Sequence, residues 1–134
     1  MTLFELINAR DALVTLSNKH LRNFKVSLGV SALVRKANDE FEAYNKELSK
    51  IINTYAEHDE NGNVVSNPAG GFKLKDEKAR EGFEKEHKSL LSTDISERIG
   101  TQKLRISADD FSSEKDYLTP QEMSILTPLI EWVE

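Results

Sequence analysis

Apolar residues recur between positions 30 and 55 at alternating spacings of four and three. They are Val30, Val34, Ala37, Phe41, Tyr44, Leu48, Ile51 and Tyr55. This unbroken heptad repeat predicts one long amphipathic helix, because residues three and four apart lie on the same helix face. Leu33 and Ile52 widen the stripe, which favours packing inside a globular domain over a bare two-stranded coiled coil.

A shorter helix is predicted before it. Thr2 and Glu5 have the spacing of a capping box, in which each side chain accepts a hydrogen bond from the free backbone N–H of the other residue. An apolar face follows at helical spacing, formed by Leu6, Ala9, Leu13 and Leu16. We expect this helix to end near residues 19–22 and residues 23–25 to form a connector. The two helices then form an N-terminal antiparallel hairpin over residues 1–58.

The second half of the chain has shorter patterns. Residues 63–66 and 72–75 are strand candidates on either side of a loop rich in Pro and Gly, and residues 94–99 and 103–106 alternate in the same way. A third helix is predicted over residues 76–91, with Asp76 at its positive end. Thr119-Pro120-Gln121-Glu122 is a second capping box with Pro at the first helical position.

These patterns predict a helix-dominated α+β fold: the hairpin with its long heptad-patterned helix, a third helix and a small antiparallel β-sheet. The 134 residues suit one domain, in which residues 59–134 form a small α+β portion packed on the hairpin. The heptad stripe is explained by packing within one chain, and a homodimer through the long helix is the alternative.

We find no sequence motif for catalysis, for a cofactor or for a metal. The chain has no cysteine, and its three histidines are far apart. Asp59, Asn61 and Asn63 match the first positions of a calcium loop, but Val64 and Gly70 replace its Gly and bidentate Glu. We therefore predict that the protein is not an enzyme, and that His87 is a packed residue on a helix face.

Charge is unevenly distributed along the chain. Residues 1–36 have a formal charge of +4 and the remainder −9, which gives the net charge of −5. The basic part supplies a candidate partner-binding patch where the two helices meet. Its residues are Lys19, Arg22, Phe24, Lys25, Arg35 and Lys36. Nucleic acid is one possible partner of such a patch, but the acidic total and the absence of a groove-reading motif favour a protein partner.

The chain resembles a family of small tailed-phage and prophage proteins of unknown function, of the siphovirus type. The resemblance lies in the order of the helices and in residues 24–26, 41–48, 51–55, 57–63, 71–76 and 118–130. It implies phage origin and supplies no functional residues.

From these observations we expect a non-enzymatic bacteriophage accessory protein that acts by protein–protein interaction, in virion assembly or on a host target. The alternative is a nucleic-acid-associated phage protein that uses the basic patch in residues 19–36. The early acid at Glu5 and the lack of a long apolar stretch predict no signal peptide and no membrane span, and hence the host cytoplasm.

Overall fold

The computed structural model describes residues 1–100 and 102–134. Its helices are α1 (Leu3–Asn8), α2 (Arg10–Ser17), α3 (Phe24–Tyr55), α4 (Glu77–Leu91), α5 (Ser96–Ile99) and α6 (Pro120–Ile125). Its strands are β1 (Leu104–Ser107) and β2 (Ile130–Val133), and two short 3-10 turns lie at Ala108–Asp110 and Glu114–Asp116. The helix-dominated α+β class with one long helix is thereby confirmed.

The backbone divides into two compact units. The first consists of Met1–Phe41 and Thr93–Glu134, and the second of Glu42–Ser92. Helix α3 contributes its first part to one unit and its last part to the other. The prediction that residues 1–134 act as a single domain stays a prediction.

The first unit contains the helical hairpin. The capping box of Thr2 and Glu5 is present, and α1 and α2 are separated at Ala9. The Arg10 guanidinium, at the start of α2, lies 5.3 Å from the centre of the Phe41 ring on α3. Since the chain turns between Ser17 and Phe24, this contact requires α2 and α3 to run antiparallel. The predicted boundaries are wrong here: α2 ends at Ser17 and not near residues 19–22, and α3 begins at Phe24, so the connector is residues 18–23 and not 23–25.

The predicted antiparallel sheet is wrong, because β1 and β2 pair in parallel with Leu104 opposite Ile130 and Ser107 opposite Val133. An antiparallel pair can be joined by a tight turn, whereas a parallel pair needs a longer crossover. Here the crossover consists of the two 3-10 turns and α6. The strand candidates at 63–66 and 72–75 form only isolated antiparallel bridges, such as Ser66 with Phe72.

The strand predicted at residues 94–99 is also wrong, because α5 occupies most of it. The Asp94 carboxylate accepts a hydrogen bond from the Ser96 backbone N–H at 2.9 Å, which turns the chain into the helix. Ile95 and Ile99 are buried on either side of that turn. Thr101, which lies between this strand candidate and the one at residues 103–106, is outside the described residues.

The heptad stripe of α3 is buried unevenly. Val30 and Ala37 are fully buried in the first unit, whereas the stripe residues from Phe41 onward are half-buried. Glu40 lies outside the heptad stripe, so helical periodicity alone would assign it to the solvated face of α3. It is only 8% exposed, and its carboxylate accepts a hydrogen bond from Arg98 Nε at 2.6 Å. This hydrogen-bonded ion pair raises the pKa of Arg98 above its usual value. It also offsets the cost of burying the Glu40 carboxylate.

The second unit is organised around α4, which begins and ends as predicted. Asp76 caps it by accepting a hydrogen bond from the Ala79 N–H at 2.7 Å. The Phe83 and His87 rings lie 5.5 Å apart, and the Tyr44 hydroxyl is 2.8 Å from His87 Nε2. Burial raises the pKa of Tyr44. His87 is therefore a packed member of an aromatic cluster, in agreement with the sequence interpretation.

Candidate functional site

A groove in the first unit lies between the start of α3 and the segment that leads into β1. Its volume is about 550 Å³, and Pro128 and Leu129 are also among its lining residues. This size falls in the range of about 300–1,000 Å³ that is typical of ligand sites. The groove is therefore the first place to look for function.

One face of α3 forms a wall of the groove. Its residues are Lys25, Val26, Gly29, Ala32, Leu33 and Lys36. The spacings of one, three, three, one and three keep them on one side of the helix. The Asn23 side chain starts the helix by accepting a hydrogen bond from the Lys25 backbone N–H at 3.1 Å. That cap places Lys25 in the first turn, where α3 has no acidic residue.

The opposite wall is positioned by a close approach of β1 to this helix. A Cβ atom on Gly29 would lie 2.7 Å from Leu104 Cδ1, so only glycine fits here without movement of Leu104. Leu104 enters the strand opposite Ile130, which is fully buried. We call the apolar lining residues the floor of the groove, and among the described lining residues no side chain is aromatic. The floor consists of Val26, Ala32, Leu33, Ile99, Leu104, Pro128 and Leu129.

Four cationic side chains border this floor: Lys25, Lys36, Lys103 and Arg105. Arg105 makes a cross-strand ion pair with Glu131, with Nε and Oε2 3.5 Å apart. In the part of the chain that the structure describes, no salt bridge uses the three lysines. No acidic residue lines the groove within the same limits. The groove thus presents unneutralised positive charge around an apolar floor.

Only part of the basic patch predicted from the sequence lies in this groove. Lys25 and Lys36 line it, whereas Lys19, Arg22, Phe24 and Arg35 do not. Arg22 is used structurally: its Nη2 donates to the Ser112 carbonyl at 3.1 Å. Phe24 is 76% exposed, and Arg35 is exposed on α3. Whether these six residues bind a partner stays a prediction.

An acidic anchor holds the chain beside the start of α3. The Asp110 carboxylate accepts hydrogen bonds from the Ser107 backbone N–H at 2.8 Å and from the Asn23 side chain at 2.9 Å. These bonds, the one from Ser107 first, lower the pKa of Asp110. The Arg22 N–H also donates to the Asp110 carbonyl at 2.8 Å. This arrangement ties the segment that caps α3 to the end of β1.

Sequence reasoning missed Lys103 and Arg105 as members of the site. Both lie in the strand candidate at residues 103–106, for which the sequence pattern indicates no partner strand. Their placement depends on the parallel pairing of β1 with β2, which no local pattern indicates. The glycine at position 29 was the available signal, because a glycine inside a strong helix pattern suggests close approach of another segment.

Two other kinds of feature, a metal site and a membrane-spanning helix, are not found among the residues that the structure describes. Among residues 1–100 and 102–134, no group of three or more His, Cys, Asp or Glu side chains could hold a metal ion. Over those residues, no helix has both the length and the apolar character required to cross a bilayer. Comparison with protein-family models, with curated proteins and with solved structures finds no match to this chain. The resemblance to tailed-phage proteins accordingly stays a prediction.

Proposed function

We propose that this protein is a non-enzymatic binding protein whose groove holds an acidic amphipathic segment of another protein. One observation supports this most directly: four cationic side chains surround an aliphatic floor, and the described groove residues include no acid. An amphipathic helix places apolar side chains on one face and charged ones beside them. Its apolar anchors would occupy the floor while its carboxylates meet the lysines.

A protein partner is favoured over nucleic acid by the chemistry of the floor. Single-stranded nucleic acid is held by aromatic rings on which bases stack, together with a basic track. The groove offers aliphatic side chains instead. Phe24 precedes the groove residue Lys25 in the sequence and has an exposed ring, but it does not line the groove. The net charge of −5 also opposes general attraction to phosphate. Nucleic-acid binding through residues 19–36 is the alternative that the experiment below tests.

The biological setting that we propose follows from the sequence resemblance. A phage accessory protein of this kind would act in the host cytoplasm, either on a virion component or on a host protein. An acidic amphipathic segment is a recognition element that either class of partner can supply. The groove residues support the chemistry that we propose for the partner, and its identity is left to experiment.

The test measures the binding of two labelled probes by fluorescence anisotropy. One is a peptide with leucines at helical spacing and glutamates elsewhere, and the other is a single-stranded oligonucleotide of equal charge. We expect saturable binding of the peptide that weakens with added salt, since exposed charges are screened. A peptide of the same composition with scrambled order should bind much more weakly, because it has no continuous apolar face.

Charge-reversal variants locate the binding site. Lys36→Glu and Lys103→Glu should each weaken peptide binding, whereas Lys85→Glu, an exposed position on α4, is the control with the same change in net charge. Leu33→Gln tests the apolar floor independently of charge. Equal peptide affinity of Lys36→Glu and Lys85→Glu would exclude the groove. Binding of the oligonucleotide alone would favour the nucleic-acid alternative.

A further inference from the structure

A second, smaller pocket lies in the first unit where β1 and β2 end. It has a volume of about 260 Å³ and is lined by residues of both strands, of the first 3-10 turn, of the segments that follow the two 3-10 turns and of α6. Pockets that enclose whole drug-sized ligands are larger, from about 300 Å³ upward. This pocket therefore suits a compact head group or one side chain. It shares no lining residue with the basic groove.

Three different aromatic side chains line this pocket: Phe111, Tyr117 and Trp132. The Phe111 and Tyr117 rings are 5.6 Å apart and nearly perpendicular, at 78°. Trp132 Nε1 donates a hydrogen bond to the Met123 carbonyl at 2.9 Å. That bond satisfies the only polar atom of the indole, so its remaining surface is carbon and π-electron density. Tyr117 is 45% exposed, which leaves the pocket accessible from solvent.

The charge around this pocket has the opposite sign to that of the groove. Glu134 is the one charged residue among the described lining residues. Residues 107–117, which supply part of the wall, contain four acids and a single lysine. Aromatic faces carry a negative quadrupole and attract cations placed over them. The three rings and the nearby carboxylates thus favour the same kind of ligand, a cation that is only weakly hydrated in water.

We propose that this pocket binds a trimethylammonium group, as present in choline or in a trimethylated lysine side chain. Such a group has apolar methyl surfaces for the rings and a positive charge that is attracted by their faces and by Glu134. An ordinary ammonium is more strongly hydrated, so it loses more on entry. A neutral group of the same shape gains the apolar contacts but no electrostatic attraction.

Trp132 makes the test direct, because it is the only tryptophan of the chain. Its fluorescence should change saturably on titration with choline chloride, relative to sodium chloride at the same ionic strength. The neutral isostere 3,3-dimethylbutan-1-ol replaces the nitrogen with carbon and should bind about tenfold more weakly, which corresponds to a cation–π contribution of ordinary size. Isothermal calorimetry of both ligands detects binding that leaves the fluorescence unchanged.

Two variants assign the binding to the rings. Tyr117→Leu keeps apolar bulk and should weaken choline binding about tenfold with little effect on the isostere. Phe24→Leu removes an exposed ring outside the pocket and is the matched control; circular dichroism establishes that both variants fold. Equal affinity for choline and the isostere, or no saturable binding by either method, would overturn the proposal. Tighter binding of a trimethyl-lysine peptide than of choline would identify a protein side chain as the source.

Discussion

Gly82, inside α4, is a position where helix propensity and packing predict opposite effects of the same substitution. Judged from the helix alone, Gly82→Ala should stabilise the protein by about 1 kcal/mol, because glycine is the poorer helix former. The structure brings the Tyr55 ring against this glycine. A Cβ atom there would meet ring carbon Cε1 and would lie 2.8 Å from Cζ.

The packing effect should be the larger of the two. Forcing an extra methyl group against a packed side chain typically costs about 1–3 kcal/mol. Tyr55 is half-buried, so moving its ring aside would give up packing contacts. Subtracting the propensity gain of about 1 kcal/mol leaves a net loss of about 1 kcal/mol in the free energy of unfolding.

A double-mutant cycle separates the two contributions. Urea unfolding followed by circular dichroism is measured for Gly82→Ala, Tyr55→Ala and the double variant. With the ring removed, Gly82→Ala should stabilise the Tyr55→Ala protein by about 1 kcal/mol. If Gly82→Ala stabilises the wild-type protein by the same amount, the ring does not pack on this glycine and the reasoning is refuted.

Four further results are expected. Ile95→Ala should lower the free energy of unfolding by about 2–5 kcal/mol, because Ile95 is completely buried. Thr119→Ala should cost about 0.5–2 kcal/mol through loss of the N-terminal cap of α6. Thr127→Ala, which keeps that cap and removes only the hydrogen bonds from its hydroxyl to the Met123 and Ser124 carbonyls, should cost less in the same urea assay. Lys25→Glu should stabilise the protein by about 0.3–1 kcal/mol, since an acid suits the first turn of α3, yet should weaken peptide binding in the anisotropy assay. The pKa of Asp110 is lowered in the folded state. The stabilisation by this carboxylate is therefore complete above its unfolded pKa of about 3.9 and is lost as the pH falls below that value and through the lower folded-state pKa. The stability of Asp110→Asn should differ less from that of the wild type at pH 3 than at pH 6.

The starts of three helices were predictable because their signals are local, whereas the end of α2 and the start of α3 were misplaced by a few residues. The capping boxes at Thr2 and Thr119 and the cap at Asp76 each involve residues three positions apart, and all three are present in the structure. The long helix was predictable for the same reason, since its face repeats every few residues. Strand pairing is different, because the partner of β1 lies beyond a long crossover. Alternation alone could not distinguish parallel from antiparallel pairing.

The same distinction between local and distant contacts explains what was predicted of the candidate groove. Lys25 and Lys36 belong to one basic stretch and were selected from the sequence. Lys103 and Arg105 join them only through the fold. Glu40 is a parallel case: helical periodicity assigned it to solvent, yet Arg98, distant in sequence, pairs with it and buries it. A periodic pattern describes the face of a helix, and the contacts of that face must come from the tertiary structure.

The groove coincides with features that folding alone would not favour. Lys25 places a positive charge in the first turn of α3, at the positive end of the helix dipole. Gly29 lowers helix propensity by about 1 kcal/mol relative to alanine. Lys36 and Lys103 add like charges to the same surface without compensating acids. Local departures from stability of this kind are expected at binding surfaces. An anionic partner would supply the missing negative charge, so the groove should gain stability when it is occupied.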